Sequence, residues 1–185
     1  GIGAISNYGD VSVSNGANGD IYATAGGGSA VGILAQSYTG DVSVVNDGNI
    51  VAYSINNSAI GINAQSIYGS VSVENNNLVY AYSAGPAIGI NAYSEFQDVS
   101  VDNSGGISAI SQYFNAVAIN ANSVYGDINI DSNGGYLAAY AVYDYATGIN
   151  AYSVYGDVDI NNGTDITAYS VDGDATGIRA FSVYG

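Results

Sequence analysis

The chain has 185 residues, with 26 Gly, 18 Tyr, three Phe and one Pro, and its sixteen Asp and Glu face a single basic residue, Arg179. The formal charge is −15, yet 48% of the residues are apolar, which is not the apolar-poor composition of a disordered acidic tail. With one Arg and no Lys it cannot replace counterions along nucleic acid or hold an anionic membrane, and having no His, Cys, Met or Trp it cannot build Cys/His zinc sites, thiol catalysis or a Ser-His-Asp triad.

No apolar run approaches the ~18 residues of a membrane span, so membrane insertion is not expected. Nothing at the N-terminus reads as a secretion signal. The chain opens inside a repeat, which reads as a processed chain or a segment of a longer one.

Three short phrases recur in fixed order. The first, Gly-Ile-x-Ala-x-Ser, begins at residues 1, 32, 61, 89, 118 (Ala for Gly), 148 and 177. Its columns are unbroken: Ile2, Ile33, Ile62, Ile90, Ile119, Ile149 and Ile178, then Ala4 to Ala180, then Ser6 to Ser182. The second phrase, Gly-Asp-Val-Ser-Val in its fullest form, starts at Gly9 and returns in each following unit up to Gly156. The third, Ile-x-Ala-Tyr-Ser, appears in variants at Ile21, Ile50, Val79, Ile107, Leu137 and Ile166. Each phrase reads as a strand with period-two alternation and one buried face. The punctuation by Gly-Asp and Asn-Gly every eight to twelve residues argues against helix.

Identical residues at one phase every 29 or so positions point to a coil in which each residue lies ~4.8 Å above its counterpart. The expected fold is all-β: one parallel β-solenoid over residues 1–185, with three strands per rung, six rungs and a partial seventh. Its expected length is roughly 30 Å, and right-handed winding follows by analogy with parallel crossovers. The Ile column is the candidate core.

Several outer and corner columns follow from this stacking. Asn15, Asn46, Asn75, Asn103 and Asn162, with Ser132 in the fifth place, form either an amide ladder or a row of ordinary turn residues. Aromatic residues align at the first corner as Tyr8, Thr39, Tyr68, Phe96, Tyr125, Tyr155 and Tyr184. On the third strand they align as Thr24, Tyr53, Tyr82, Ile110, Tyr140 and Tyr169. These rings either stiffen the rod or line a surface that holds glycans or a neighbouring filament. Asp10, Asp41, Asp98, Asp127 and Asp157 stack in another column, where adjacent carboxylates repel by about 0.9 kcal/mol even in water. Either backbone N–H groups offset that repulsion, or cations do; calcium is the candidate ion for such all-oxygen sites.

An enzyme is not expected, because the acids occupy equivalent repeating surroundings instead of the unequal ones that separate an acid from a base. No rung carries an insertion long enough to wall a cleft. The three phrases resemble the degenerate repeats in passenger regions of bacterial autotransporter-type surface proteins, over the whole length from Gly1 to Gly185. The resemblance implies export to the cell surface or beyond, and a projecting rod with adhesive or structural duty. The functional expectation is a non-enzymatic structural protein, a unit or segment of a surface fibre that associates end to end or side by side. The alternative is an adhesin that holds glycans through its Tyr and Asn faces.

Overall fold

The computed structural model describes residues 1–185 and contains nineteen strands and no helix. They form a parallel β-solenoid of about six turns with three strands per turn. The first sheet stacks Ile2–Ser6, Ala30–Ser37, Ala59–Ser66, Ala87–Ser94, Ala116–Ser123, Ala146–Ser153 and Ala175–Ser182. The second stacks Val11–Asn15, Val42–Asn46, Val71–Asn75, Val99–Asn103, Ile128–Ser132 and Val158–Asn162. The third stacks Ile21–Ala25, Ile50–Ser54, Val79–Ser83, Ile107–Ser111, Tyr136–Ala141 and Asp165–Ser170.

Register follows the repeat. Ile33 pairs with Ile62, Ile62 with Ile90, Ile90 with Ile119 and Ile119 with Ile149. Val42 sits on Val71 in the second sheet, and Ala52 on Ala81 in the third. This register puts β-branched side chains in vertical rows, where each packs on the like residue above and below. Ile33, Ile62, Ile90, Ile119 and Ile149 are fully buried. Ile2 and Ile178 belong to the same row but lie on the outermost strands of their sheet, each with one neighbouring strand, and are 38% and 44% exposed.

Two features depart from the sequence expectation. From the second rung onward the first-sheet strand begins two residues before the Gly, at Ala30 and its counterparts. Alternation then fails once per strand, because Gly32 and Ile33 both face inward, and the backbone pairing runs from Val31 to Ile33 without pairing the Gly. The first sheet is therefore bent along a line of glycines.

The bend divides the interior. A cluster of 26 buried residues holds the Ile and Val rows, while a separate cluster of 11 contains only Ala. The Ala wedge lies between the third sheet and the leading ends of the first-sheet strands, where only a methyl fits from each side. The glycines mark the waist between the two parts. A Cβ on Gly61 would lie 2.2 Å from Val79 Cγ1 and 2.6 Å from the Gly89 carbonyl oxygen, and one on Gly32 would lie 2.3 Å from Ile50 Cγ2.

Candidate functional site

Each corner is closed by side chains that bond one rung to the next. At the second corner, Asn15 Nδ2 donates to Asn46 Oδ1, Asn46 to Asn75 and Asn75 to Asn103, each at 2.8 Å. Asn75 Nδ2 also donates to the Asn77 carbonyl at 2.8 Å, and Asn103 Nδ2 to the Gly105 carbonyl at 3.0 Å. Of the two readings open in the sequence, the geometry is that of a buried amide ladder that also clamps the turn. Burial is essentially complete for Asn46, Asn75 and Asn103, so every bond in the row is shielded from water.

The row has one break. Asn103 Nδ2 reaches Ser132 Oγ at 3.2 Å, and Asn162 Oδ1 beyond it is the one buried side-chain polar atom without a partner. The fifth corner also carries one more residue than the corners beside it and turns through Gly135 at φ +66°. A buried acceptor left unpaired costs about 1–3 kcal/mol. Ser132→Asn is expected to supply the missing donor and raise stability by about 1 kcal/mol, which a thermal or denaturant melt would show as a later midpoint.

The Ser row explains itself at the first corner. Ser66 Oγ donates to the Gly40 carbonyl of the preceding rung at 2.8 Å and accepts the Gly69 N–H at 2.9 Å. Ser37, Ser123 and Ser153 make the same pair of bonds. A hydroxyl has one donor and two acceptor lone pairs, so it can staple neighbouring rungs while closing its own turn. Ser54, Ser111 and Ser170 repeat the device at the third corner.

The Asp row is tied through the backbone. Asp10 Oδ1 accepts the Asp41 N–H at 3.0 Å, Asp41 the Ser70 N–H at 2.8 Å, Asp98 the Asp127 N–H at 2.9 Å and Asp127 the Asp157 N–H at 2.8 Å. These N–H groups supply part of the offset that stacked carboxylates require. No group of three or more acidic side chains converges as a metal cluster would.

At the first corner, Tyr68, Phe96, Tyr125, Tyr155 and Tyr184 form one continuous stack, with ring centroids 4.9 to 5.2 Å apart and planes within 14°. Thr39 interrupts the column below it, leaving Tyr8 outside, and Tyr38 instead meets Tyr68 edge-on at 5.4 Å. On the third sheet Tyr53 and Tyr82 stack at 5.1 Å. Ile110 then separates them from Tyr140 and Tyr169, which are tilted by 50° at 6.1 Å. Two further stacks join residues outside the expected columns, Tyr113 with Tyr143 and Tyr152 with Phe181. Each stacked pair contributes about 0.5–1.5 kcal/mol. Stacking along the rod has a second effect: it covers the ring faces and leaves edges and hydroxyls toward solvent. A sugar that packs on an aromatic face therefore finds little open face on these columns.

The sequence reading missed a second amide ladder on the outer surface of the first sheet. There Asn91 Nδ2 donates to Asn63 Oδ1, Asn120 to Asn91 and Asn150 to Asn120, at 2.7 to 2.8 Å. Its donors point back toward earlier rungs, opposite to the buried row. The clue was present: Asn recurs on four consecutive rungs at a position where a wetted face lets residues vary. Arg179 occupies the next place in this row.

Three shallow depressions mark the surface. One of about 240 Å³ lies beside Gln36, Gln65, Tyr38 and Tyr93, and two of about 180 and 190 Å³ follow the glycine bend near Asn150, Tyr145 and Arg179. All are smaller than the ~300–1,000 Å³ of small-molecule sites. Burial raises the phenol pKa of Tyr80, helped by the nearby tyrosines, and burial followed by the charge of Glu95 raises that of Tyr93. A phenol whose folded pKa is raised contributes its full stability below the ordinary phenol range and loses it as pH rises through the raised value. Ultraviolet difference titration should show a late phase from these two rings, with a falling melting temperature across that phase.

Comparison of the chain with protein-family models, curated proteins and solved structures finds no match.

Proposed function

We propose that this chain is a non-enzymatic, load-bearing extracellular protein, a unit or segment of a cell-surface fibre built from stacked rungs. The observation that carries this reading is the direction of the bonding. Backbone pairing in all three sheets, the buried Asn row, the Ser staples and the first-corner ring stack all run along one axis. Tension along that axis is shared by parallel sets of bonds at every rung, as a fibre requires. The acid rows keep such a rod soluble. The passenger-type repeats of bacterial autotransporter-like proteins, which the three phrases resemble, give the same reading of surface location and export.

The alternative, an adhesin that grips glycans through Tyr and Asn faces, has a weaker physical basis. The stacked rings offer edges instead of faces, and much of the outer Asn row's hydrogen-bonding capacity is spent on its own ladder. Electron micrographs of the purified chain separate the two. Long uniform threads support the fibre, whereas isolated short rods with specific hits on a glycan array would replace it with the adhesin.

A further inference from the structure

A face on which two copies of this chain meet about a two-fold axis must be self-complementary, because such a contact sets a patch against itself. At a net charge of −15, this requirement removes most of the surface. The outer face of the second sheet carries Glu74, Asp102, Asp131 and Asp159 on neighbouring rungs, and two such faces repel. The outer face of the first sheet is free of acids, but it is bent along its glycine line and lined by hydrated amides.

The third sheet differs from both. Its strands pair residue for residue with none skipped, so it lacks the bend of the first sheet. Across its six strands the only charged residue is Asp165, at the first position of the last strand. Seven outward positions are aromatic: Tyr22, Tyr53, Tyr80, Tyr82, Tyr136, Tyr140 and Tyr169. Tyrosine suits a surface that is apolar when covered and wetted at its hydroxyl when free.

We propose that the outer face of the third sheet is a lateral contact surface on which a second copy of this chain packs side by side through its own third sheet. The inference rests on the self-association in the fibre reading and assigns it a face. Six strands ~4.8 Å apart and five residues of ~3.3 Å give roughly 400 Å² of flat area per copy. That is about half of the ~800 Å² per partner typical of a stable complex. The contact is therefore weak for one chain and strengthens in proportion to the number of rungs laid side by side, which is how threads bundle without single rods clumping.

Sedimentation velocity of the purified chain over a wide concentration range tests this, at low and at high salt. The expected result is a monomer–dimer equilibrium that tightens as salt rises, since salt screens the repulsion between the two acidic bodies. The double variant Tyr53→Asp/Tyr140→Asp sets like charges against each other and should weaken association by at least about tenfold. The milder Tyr53→Ser/Tyr140→Ser pair should weaken it less. Tyr8→Asp, on an 88% exposed residue away from this face, should leave it unchanged. Circular dichroism confirms that each variant keeps its sheet content. A chain that stays monomeric at every concentration and salt, or a dimer indifferent to both double variants, overturns the proposal. Micrographs keep the two readings apart: threads that form but never pair overturn the lateral face alone, while rods that pair sideways without forming threads overturn the fibre alone.

Discussion

Asn75→Ala is expected to cost about 3–5 kcal/mol. The wild-type amide is fully buried and makes three bonds: it accepts from Asn46, and it donates both to Asn103 and to the Asn77 carbonyl. Truncation removes all three and strands a donor below, an acceptor above and a turn carbonyl alongside, each shielded from water. The corresponding fall in melting temperature is about 10 °C for a chain of this size. Asn75→Asp separates bonding from packing, because it keeps the shape and the acceptor for Asn46 but turns a carboxylate oxygen toward Asn103 Oδ1. It should be no better than Ala. A loss below about 1 kcal/mol in Asn75→Ala would mean that the row is decorative and that the backbone alone holds the corner.

Gly61→Ala is expected to be nearly as damaging, for a steric reason. The new methyl would stand 2.2 Å from Val79 Cγ1 and 2.6 Å from the Gly89 carbonyl oxygen, at the waist where the first and third sheets approach. Overpacking of this kind costs about 1–3 kcal/mol. The chain contains its own remedy. The fifth rung carries Ala118 in the glycine place, and there the facing β-branched residue is replaced by Leu137; both are fully buried in the same cluster. A Leu side chain branches one carbon further out and leaves space beside its Cβ. The double variant Gly61→Ala/Val79→Leu should therefore recover much of the loss, and a double-mutant cycle should give a coupling of about 1 kcal/mol or more. Strict additivity would show that the pairing of Ala118 with Leu137 is coincidental.

The architecture was legible because stacking makes each environment recur. Once Ile33 and Ile62 occupy the same place, a regular interval between like residues is a direct record of geometry, and the Asn column carries its ladder in the same way. The bend was not legible. Alternation traced back from the inward Ile33 turns Gly32 outward, and only its packing against Ile50 reveals that it too faces in. The unbroken Ala row from Ala30 to Ala175 did signal an earlier strand start, but glycine is the more conspicuous marker of phase. Ring orientation lay beyond the sequence altogether. Tyr140 and Tyr169 share a column with Tyr53 and Tyr82 yet tilt where the others stack, because a side-chain torsion decides the matter and composition does not.

The Ser132–Asn162 step, where no donor is passed upward, has a bearing on how the chain reaches its native state. Paired residues lie about one repeat apart everywhere, 31 positions for Ile2 and Ile33 and 29 for Ile33 and Ile62, so no coil can form except against one already made. Closing the first loop of that size is the slow, entropically expensive event. Later coils condense on an existing template by accretion, and the time to add each one does not grow with the length already laid down. A chain emerging end-first would zip in sequence order, with the weakly bonded fifth coil as its natural pausing point.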